Sequence, residues 1–161
     1  MSTNIPGPSQ AKLPPAARIA VIAARFNSRI VDELLAGCRR RLAELGADEN
    51  LVEIYRVPGA FELPVAAKAA AQTRRFSAVI CLGCVIRGDT PHFDYVAGEA
   101  ARGIQQVAVD EVLPVIFGVL TTNTEQQAMD RIGGSHGHAG ERAAEAAAEM
   151  IAILREMQTR T

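Results

Sequence analysis

Short, almost wholly apolar runs alternate along the chain with segments in which apolar residues recur at helical spacing. Continuous apolar runs are typical of parallel strands that are covered on both faces. They predict strands at 18–23, 77–86 and 114–120, and the segment at 51–57, which also contains two charged residues, is predicted as another strand. The i, i+3, i+4 pattern of the other segments predicts helices at about 28–45, 63–72, 94–107, 124–132 and 141–158.

This alternation predicts βαβ units with parallel strands and right-handed crossovers. The predicted fold class is therefore α/β, a three-layer α/β/α domain of the flavodoxin-like kind with a four-stranded parallel sheet. Residues 17–161 form this single domain, a size that suits one hydrophobic core. Residues 1–16 contain four prolines and little periodic apolar content, which predicts a flexible N-terminal arm outside the core.

Composition and charge exclude several function classes. The net charge of −1 gives no electrostatic attraction to nucleic acid or to an anionic membrane surface. No run approaches the roughly 18 apolar residues that span a membrane, and the start of the chain lacks the basic and apolar regions of a signal peptide. Three cysteines, an odd number, argue against a disulfide scaffold and for a reducing compartment. We therefore expect a cytoplasmic protein.

The end of each predicted strand carries an unusual cluster of side chains. The clusters lie at 25–27, 59–62, 87–92 and 117–122. The carboxyl ends of parallel strands meet at one edge of a sheet, and ligands bind at that edge in open α/β folds. The four clusters therefore predict one ligand site. A single cluster is weak evidence, because loops are polar in any protein and Phe117 lies within its strand. The convergence of all four clusters at one edge is a stronger signal.

The segment from Gly88 to Thr90 directly precedes a predicted helix. Backbone N–H groups at a helix N-terminus can hold an anion, and the Thr90 hydroxyl could help. Asp89 opposes an anion unless its side chain points away. The chain has no Walker lysine motif and no G-x-G-x-x-G after the first strand, so a phosphate site and an ordinary helix start both remain open.

Three more polar side chains at this edge have both a functional and a structural interpretation. His92 could transfer protons, as histidine does near neutral pH, or it could be a surface or capping residue. Glu62 could accept hydrogen bonds from a substrate amine, or it could simply favour the dipole of the adjoining helix. Arg131 could bind an anion, or it could stabilise the last turn of a short helix.

Cys81 and Cys84 have the C-x-x-C spacing of some metal and redox sites. They lie inside a predicted strand, where residues three apart point to opposite faces. We therefore interpret both as buried strand residues. His136 and His138 lack a third partner for a metal ion, and no metal site is predicted.

The strand-end clusters together resemble one enzyme family. The chain resembles the 6,7-dimethyl-8-ribityllumazine synthases, which catalyse the penultimate step of riboflavin biosynthesis. The resemblance keeps family order and spacing across about 18–157. The matching segments are Ala-Arg-Phe-Asn at 24–27, Val-Pro-Gly-Ala-Phe-Glu-Leu-Pro at 57–64, Val-Ile-Arg-Gly-Asp-Thr-Pro-His-Phe-Asp-Tyr-Val at 85–96, and Phe-Gly-Val-Leu-Thr-Thr at 117–122 with Glu-Gln-Gln-Ala at 125–128 and Arg131.

The resemblance implies a transferase reaction between two small molecules. The amine of 5-amino-6-(D-ribitylamino)uracil condenses with the ketone of 3,4-dihydroxy-2-butanone 4-phosphate. An imine forms, phosphate leaves, and the ring closes with loss of water. No metal and no organic cofactor is implied. The protein would hold two reactants together and move protons.

The family's functional residues transfer to this chain by position. His92 is the implied catalytic residue, which transfers protons. The implied phosphate-binding residues are Asp89, Thr90 and Arg131, the first two through backbone N–H groups and the last as a cation. The implied substrate-binding residues are Phe26, which stacks on the pyrimidine, Phe117, which closes the ring pocket, and Asn27, Ala60, Phe61, Glu62, Cys84, Val85 and Ile86.

The resemblance also implies self-association. Family members form pentamers, decamers or 60-subunit icosahedral shells, and Phe117 and Arg131 would come from the adjacent subunit. The connector at 133–140 has no insertion of the kind seen in many pentamer-only members, which favours a shell. Riboflavin synthase is a candidate partner.

The chain departs from the family pattern in two places. The family commonly has Asn-Lys-Gly before the last helix, where this chain has His138, Ala139 and Gly140. It usually has an acidic residue where this chain has Arg142. We hypothesise that His138 or Glu141 partly replaces the missing lysine and carboxylate.

Two other functions fit the same architecture. A catalytically inactive lumazine- or flavin-binding or shell-forming homologue would keep the fold without the chemistry, but both His92 and Arg131 are retained. A riboflavin synthase of the archaeal type shares the architecture, but the ribityllumazine synthase segments are unbroken.

Overall fold

A four-stranded parallel sheet with the strand order β2-β1-β3-β4 forms the centre of the computed structural model. The structure describes Gly7 and residues 10–160. The strands are β1 (Ile19–Ala24), β2 (Val52–Val57), β3 (Ala78–Ile86) and β4 (Val115–Thr122). The predicted fold class and sheet are confirmed.

Helices cover both faces of the sheet. They are α1 (Ser28–Glu44), α2 (Leu63–Gln72), α3 (His92–Glu111), α4 (Glu125–Met129) and α5 (Ala139–Thr159). Val21 and Ile80 pack with α1 and α5 in one buried cluster, whereas Ile22 and Val79 pack with α2 and α3 in another. Successive strand residues point to opposite faces, so a strand buried on both faces is apolar throughout. None of the helices in the described part of the chain is long and apolar enough to cross a membrane.

Two predicted boundaries beside the strand-end edge were wrong. Helix α3 begins at His92, not at 94, because Pro91 has a helical φ of −64° and occupies the N-cap position. Strand β4 continues to Thr122, not to 120, because the long strand β3 still pairs with it there: Ile86 lies opposite Thr122. The backbone N–H of Arg87 then donates to the Thr122 carbonyl over 2.8 Å.

The connector predicted at 133–140 contains a small antiparallel hairpin. Strand β5 (Ile132–Gly134) pairs with β6 (Gly137–His138), and α5 begins at Ala139. The turn depends on positive φ angles at Gly133 and Gly137, 106° and 73°, a conformation that glycine adopts without strain. Short strands rich in glycine leave no apolar alternation to detect.

The N-terminal arm was predicted to stay outside the core through residue 16. That is wrong for Leu13, whose side chain is buried in the cluster beneath α1 and whose N–H donates to the Leu45 carbonyl over 2.8 Å. A single leucine among prolines gives no periodic signal. Residues 1–6, 8 and 9 lie outside the described residues, and the flexibility of that part of the arm stays a prediction.

Candidate active site

A cavity of about 520 Å³ lies at the carboxyl ends of the central strands. Its volume is in the range that suits a small organic ligand. Loops after β1, β2 and β3 and the first turn of α3 form its walls. Its lining residues are Phe26, Asn27, Gly59, Ala60, Phe61, Glu62, Cys84, Val85, Ile86, Gly88, Thr90, His92, Phe93, Tyr95 and Val96.

Asn27 joins two of these walls. It occupies the N-cap position of α1 with a left-handed backbone (φ 55°), and its carbonyl accepts from the N–H groups of Ile30 and Val31. Its side-chain Nδ2 donates to the Cys84 carbonyl over 2.8 Å, which links the end of β1 to the end of β3. Phe26 beside it is 72% exposed. An aromatic face is therefore held at the rim of the cavity by a rigid turn.

The second wall is the segment after β2. Ala60–Glu62 form a 3₁₀ turn that leads into α2. The Glu62 Oε2 accepts from the Gly59 N–H over 2.8 Å, so this carboxylate caps the turn and also lines the cavity. Phe61 is 56% exposed. The two interpretations of Glu62 are thus compatible, because one oxygen serves the turn while the residue borders the cavity.

The third wall combines the end of β3 with the start of α3. Val85 and Ile86 are half-buried and line the cavity. Thr90 Oγ1 accepts from the His92 N–H over 3.5 Å, and His92 is the first residue of α3. Both side chains are exposed to solvent at the cavity. A hydroxyl, helix N–H groups and an imidazole therefore lie side by side.

The structure places three predicted site residues outside this lining. Asp89 lies between Gly88 and Thr90 but does not border the cavity. Phe117 lies opposite Cys81 on the edge strand β4 and is 43% exposed. Arg131 follows α4, and its Nη1 donates to the Gln127 carbonyl over 2.6 Å. The described part of one chain therefore does not bring Phe117 or Arg131 to its own cavity.

Sequence reasoning missed three lining residues in the first turn of α3, Phe93, Tyr95 and Val96. His92, Tyr95 and Val96 have the i, i+3, i+4 spacing of one helix face. That signal was available, but it depends on starting the helix at His92.

The hypothesis that His138 or Glu141 replaces missing site residues is unsupported by the structure. A Cβ on Gly37 of α1 would lie 2.0 Å from the His138 Cε1, so the imidazole fills the space that this glycine leaves. Its Nδ1 is buried without a hydrogen-bond partner among the described residues, and this burial lowers the pKa of His138. The Glu141 carboxylate accepts from Arg40 Nη2 over 2.6 Å. Both side chains pack towards α1.

All three cysteines are buried as free thiols. Cys81 belongs to the cluster under α2 and α3, and Cys84 belongs to the cluster under α1 and α5. The prediction that they face opposite sides of the sheet is confirmed. Within Gly7 and residues 10–160, no group of three or more His, Cys, Asp or Glu side chains could hold a metal ion.

Burial raises the pKa of Cys38 and Cys81 to about 12 and that of Cys84 to about 11. We expect iodoacetamide to label the native protein slowly at pH 8 and rapidly in denaturant, because the thiolate is the nucleophile. Each folded pKa is above the ordinary value of 9.0. The contribution of these protonated thiols to the free energy of unfolding is complete below about pH 9 and is lost as the pH rises towards 12. Equal labelling rates in both states at pH 8 would contradict this placement.

Fold and cavity together define a class, an α/β enzyme that binds small molecules at the carboxyl edge of a parallel sheet. Residues 16–155 match the 6,7-dimethyl-8-ribityllumazine synthase family. Two proteins with that name are 48% and 43% identical to this chain over 141 residues. They come from Xanthomonas oryzae pv. oryzae (strain PXO99A) and Coxiella burnetii (strain CbuG_Q212), and the matches cover 88% of this chain and 92% and 93% of theirs.

A third protein of that name, from Syntrophus aciditrophicus (strain SB), is 47% identical over 140 residues, which cover 87% of this chain and 91% of that protein. The chain belongs to the 6,7-dimethyl-8-ribityllumazine synthase family. It is accordingly a transferase of riboflavin biosynthesis that acts on small molecules.

Proposed function

We propose that the cavity at the ends of β1, β2 and β3 is the place where this chain condenses 5-amino-6-(D-ribitylamino)uracil with 3,4-dihydroxy-2-butanone 4-phosphate. The products are 6,7-dimethyl-8-ribityllumazine, phosphate and water. Two reactants held side by side react much faster than in solution. The cavity provides two adjoining regions for them.

The first region would take the pyrimidine. Phe26 offers an aromatic face for stacking, and Phe61 borders the same space. The backbone of Cys84, Val85 and Ile86 offers N–H and C=O groups for the ring and the ribityl chain. Asn27 supports this backbone through its bond to the Cys84 carbonyl. Glu62 would accept hydrogen bonds from the substrate.

The second region would take the phosphate and carry out proton transfer. Backbone N–H groups at 89 and 90 precede α3, whose N-terminus favours an anion. Asp89 would contribute its N–H and turn its exposed side chain to solvent. His92, at the start of α3, would transfer protons during imine formation, phosphate loss and ring closure.

Each site would be completed by a neighbouring subunit. Phe117 and Arg131 do not border the cavity of their own chain, although the family resemblance assigns both to the site. Self-association into pentamers, or into a 60-subunit shell built from them, would supply Phe117 as a lid and Arg131 as the phosphate's cation. Riboflavin synthase remains a candidate partner. The free thiols fit the reducing cytoplasm.

One observation carries this proposal: ten of the residues that family resemblance assigns to the substrates border one cavity. They are Phe26, Asn27, Ala60, Phe61, Glu62, Cys84, Val85, Ile86, Thr90 and His92. Incubating the purified protein with both substrates tests it. Lumazine absorbance should appear together with one phosphate per product. A protein that binds a product analogue but forms no lumazine would be an inactive homologue.

A further inference from the structure

Arg87 lies in the segment that connects β3 to α3 and does not border the cavity. Its guanidinium contacts two separate segments. Nη2 and Nη1 donate to the two Asp94 carboxylate oxygens over 2.8 and 3.3 Å. Nε donates to Asn123 Oδ1 over 3.1 Å. The guanidinium carbon lies 4.2 Å from the centre of the Phe93 ring.

Two of these contacts are with the residues that directly follow His92 in the chain, and none involves His92 itself. Phe93 and Asp94 are the next two residues in the first turn of α3, and Asn123 directly follows β4. The Arg87 N–H also donates to the Thr122 carbonyl. Arg87, through its side chain and its backbone, therefore ties the first turn of α3 to the ends of two strands. The hydrogen bonds from Arg87 lower the pKa of Asp94, so the pair stays ionised.

The planar guanidinium suits this arrangement. Its fork matches a carboxylate in a bidentate pair, and its face stacks on an aromatic ring. Lysine has the charge but neither the fork nor the plane. Both partners are largely exposed, with side chains 42% and 59% accessible, and an exposed ion pair adds little to global stability. Its main effect would then be on the orientation of the turn.

We propose that Arg87 is a positioning residue, which fixes the first turn of α3 so that His92 and Phe93 face the cavity. This inference rests on the proposed function, since it concerns the geometry of the same reaction. A displacement of about 1 Å at a reacting group can lower a rate by roughly 10²-fold. Arg87 acts through the turn and does not touch the substrate.

The variants Arg87→Lys, Asp94→Asn and their double mutant test the proposal. We expect kcat to fall by roughly 10- to 100-fold in Arg87→Lys, with little change in either KM. The kcat of the double mutant should be no lower than that of Arg87→Lys, because both substitutions disrupt the same ion pair. The melting temperature should stay near that of the wild type. Arg39 lies on α1 and forms an exposed ion pair with Glu49, and the control variant Arg39→Lys should behave like the wild type.

Hydrogen exchange of residues 88–96 in the unliganded protein separates this inference from the proposed function. Arg87→Lys should speed exchange there and nowhere else. If the wild type forms no lumazine, the proposed function fails, and exchange still tests whether Arg87 holds the turn. Three results would overturn the inference: a wild-type kcat in Arg87→Lys, a raised KM for the phosphate substrate at unchanged kcat, or a loss of activity explained by unfolding.

Discussion

Replacing His92 with alanine is expected to lower kcat by about 10²- to 10⁴-fold, the usual contribution of a general acid–base residue. His92 opens α3 at the cavity, next to Thr90. The condensation moves protons at imine formation, phosphate loss and ring closure, and His92 is the residue proposed to carry them. Both KM values should change little, because the ring pocket and the helix N-terminus remain. Steady-state lumazine absorbance measures the effect.

The matched control is His136→Ala. His136 is exposed in the hairpin, and its Nδ1 lies 3.0 Å from Ser135 Oγ. This variant should keep the wild-type kcat. His92→Ala should still bind a product analogue as tightly as the wild type, which shows that the cavity is intact. A His92→Ala protein as fast as the wild type would mean that another group moves the protons.

Replacing Arg131 with alanine is expected to raise the KM of the phosphate substrate by about 10- to 100-fold, the loss expected for a hydrogen bond to a charged group. The KM of the pyrimidine substrate should stay near its wild-type value. Arg131 follows α4, and its Nη1 donates to the Gln127 carbonyl over 2.6 Å. Its side chain belongs to neither buried cluster, so its removal should leave the core intact. Steady-state kinetics with each substrate varied in turn separates the two constants.

Two variants sharpen this prediction. Arg131→Lys should recover part of the affinity, because lysine keeps the charge but loses the planar fork. Arg39→Ala removes an exposed cation on α1 and should leave both constants unchanged. Equal rises in both KM values for Arg131→Ala would indicate a general disturbance of the site and not the loss of a phosphate cation.

The fold could be predicted because its two central strands, β1 and β3, are buried on both faces along most of their length. Residues such as Ile22 and Ile80 have no exposed side to interrupt the apolar run. The location of the candidate site at this edge of the sheet could be predicted from the parallel arrangement of the strands alone. The first turn of α3 was predicted two residues late, because His92 and Phe93 continue a polar loop in the sequence, and its helical backbone depends on Pro91.

The candidate site could be predicted only in part, for a physical reason. Phe26, Glu62 and His92 line the cavity of their own chain. Phe117 and Arg131 lie on β4 and after α4, outside the cavity of their own chain. Spacing along one chain cannot show whether a neighbouring subunit brings them to its cavity. The packing of His138 against Gly37 was also hidden, because that contact joins two distant segments.

The proposal that each site is built from two subunits is tested most directly by mixing two defective subunits. His92→Ala and Arg131→Ala would be co-expressed in equal amounts and assayed at low phosphate substrate. If each site takes His92 from one subunit and Arg131 from the next, about one quarter of the sites in a randomly mixed ring have both residues intact. We predict roughly a quarter of the wild-type activity on that basis. Activity no higher than the mean of the two separate variants would contradict a site built across subunits.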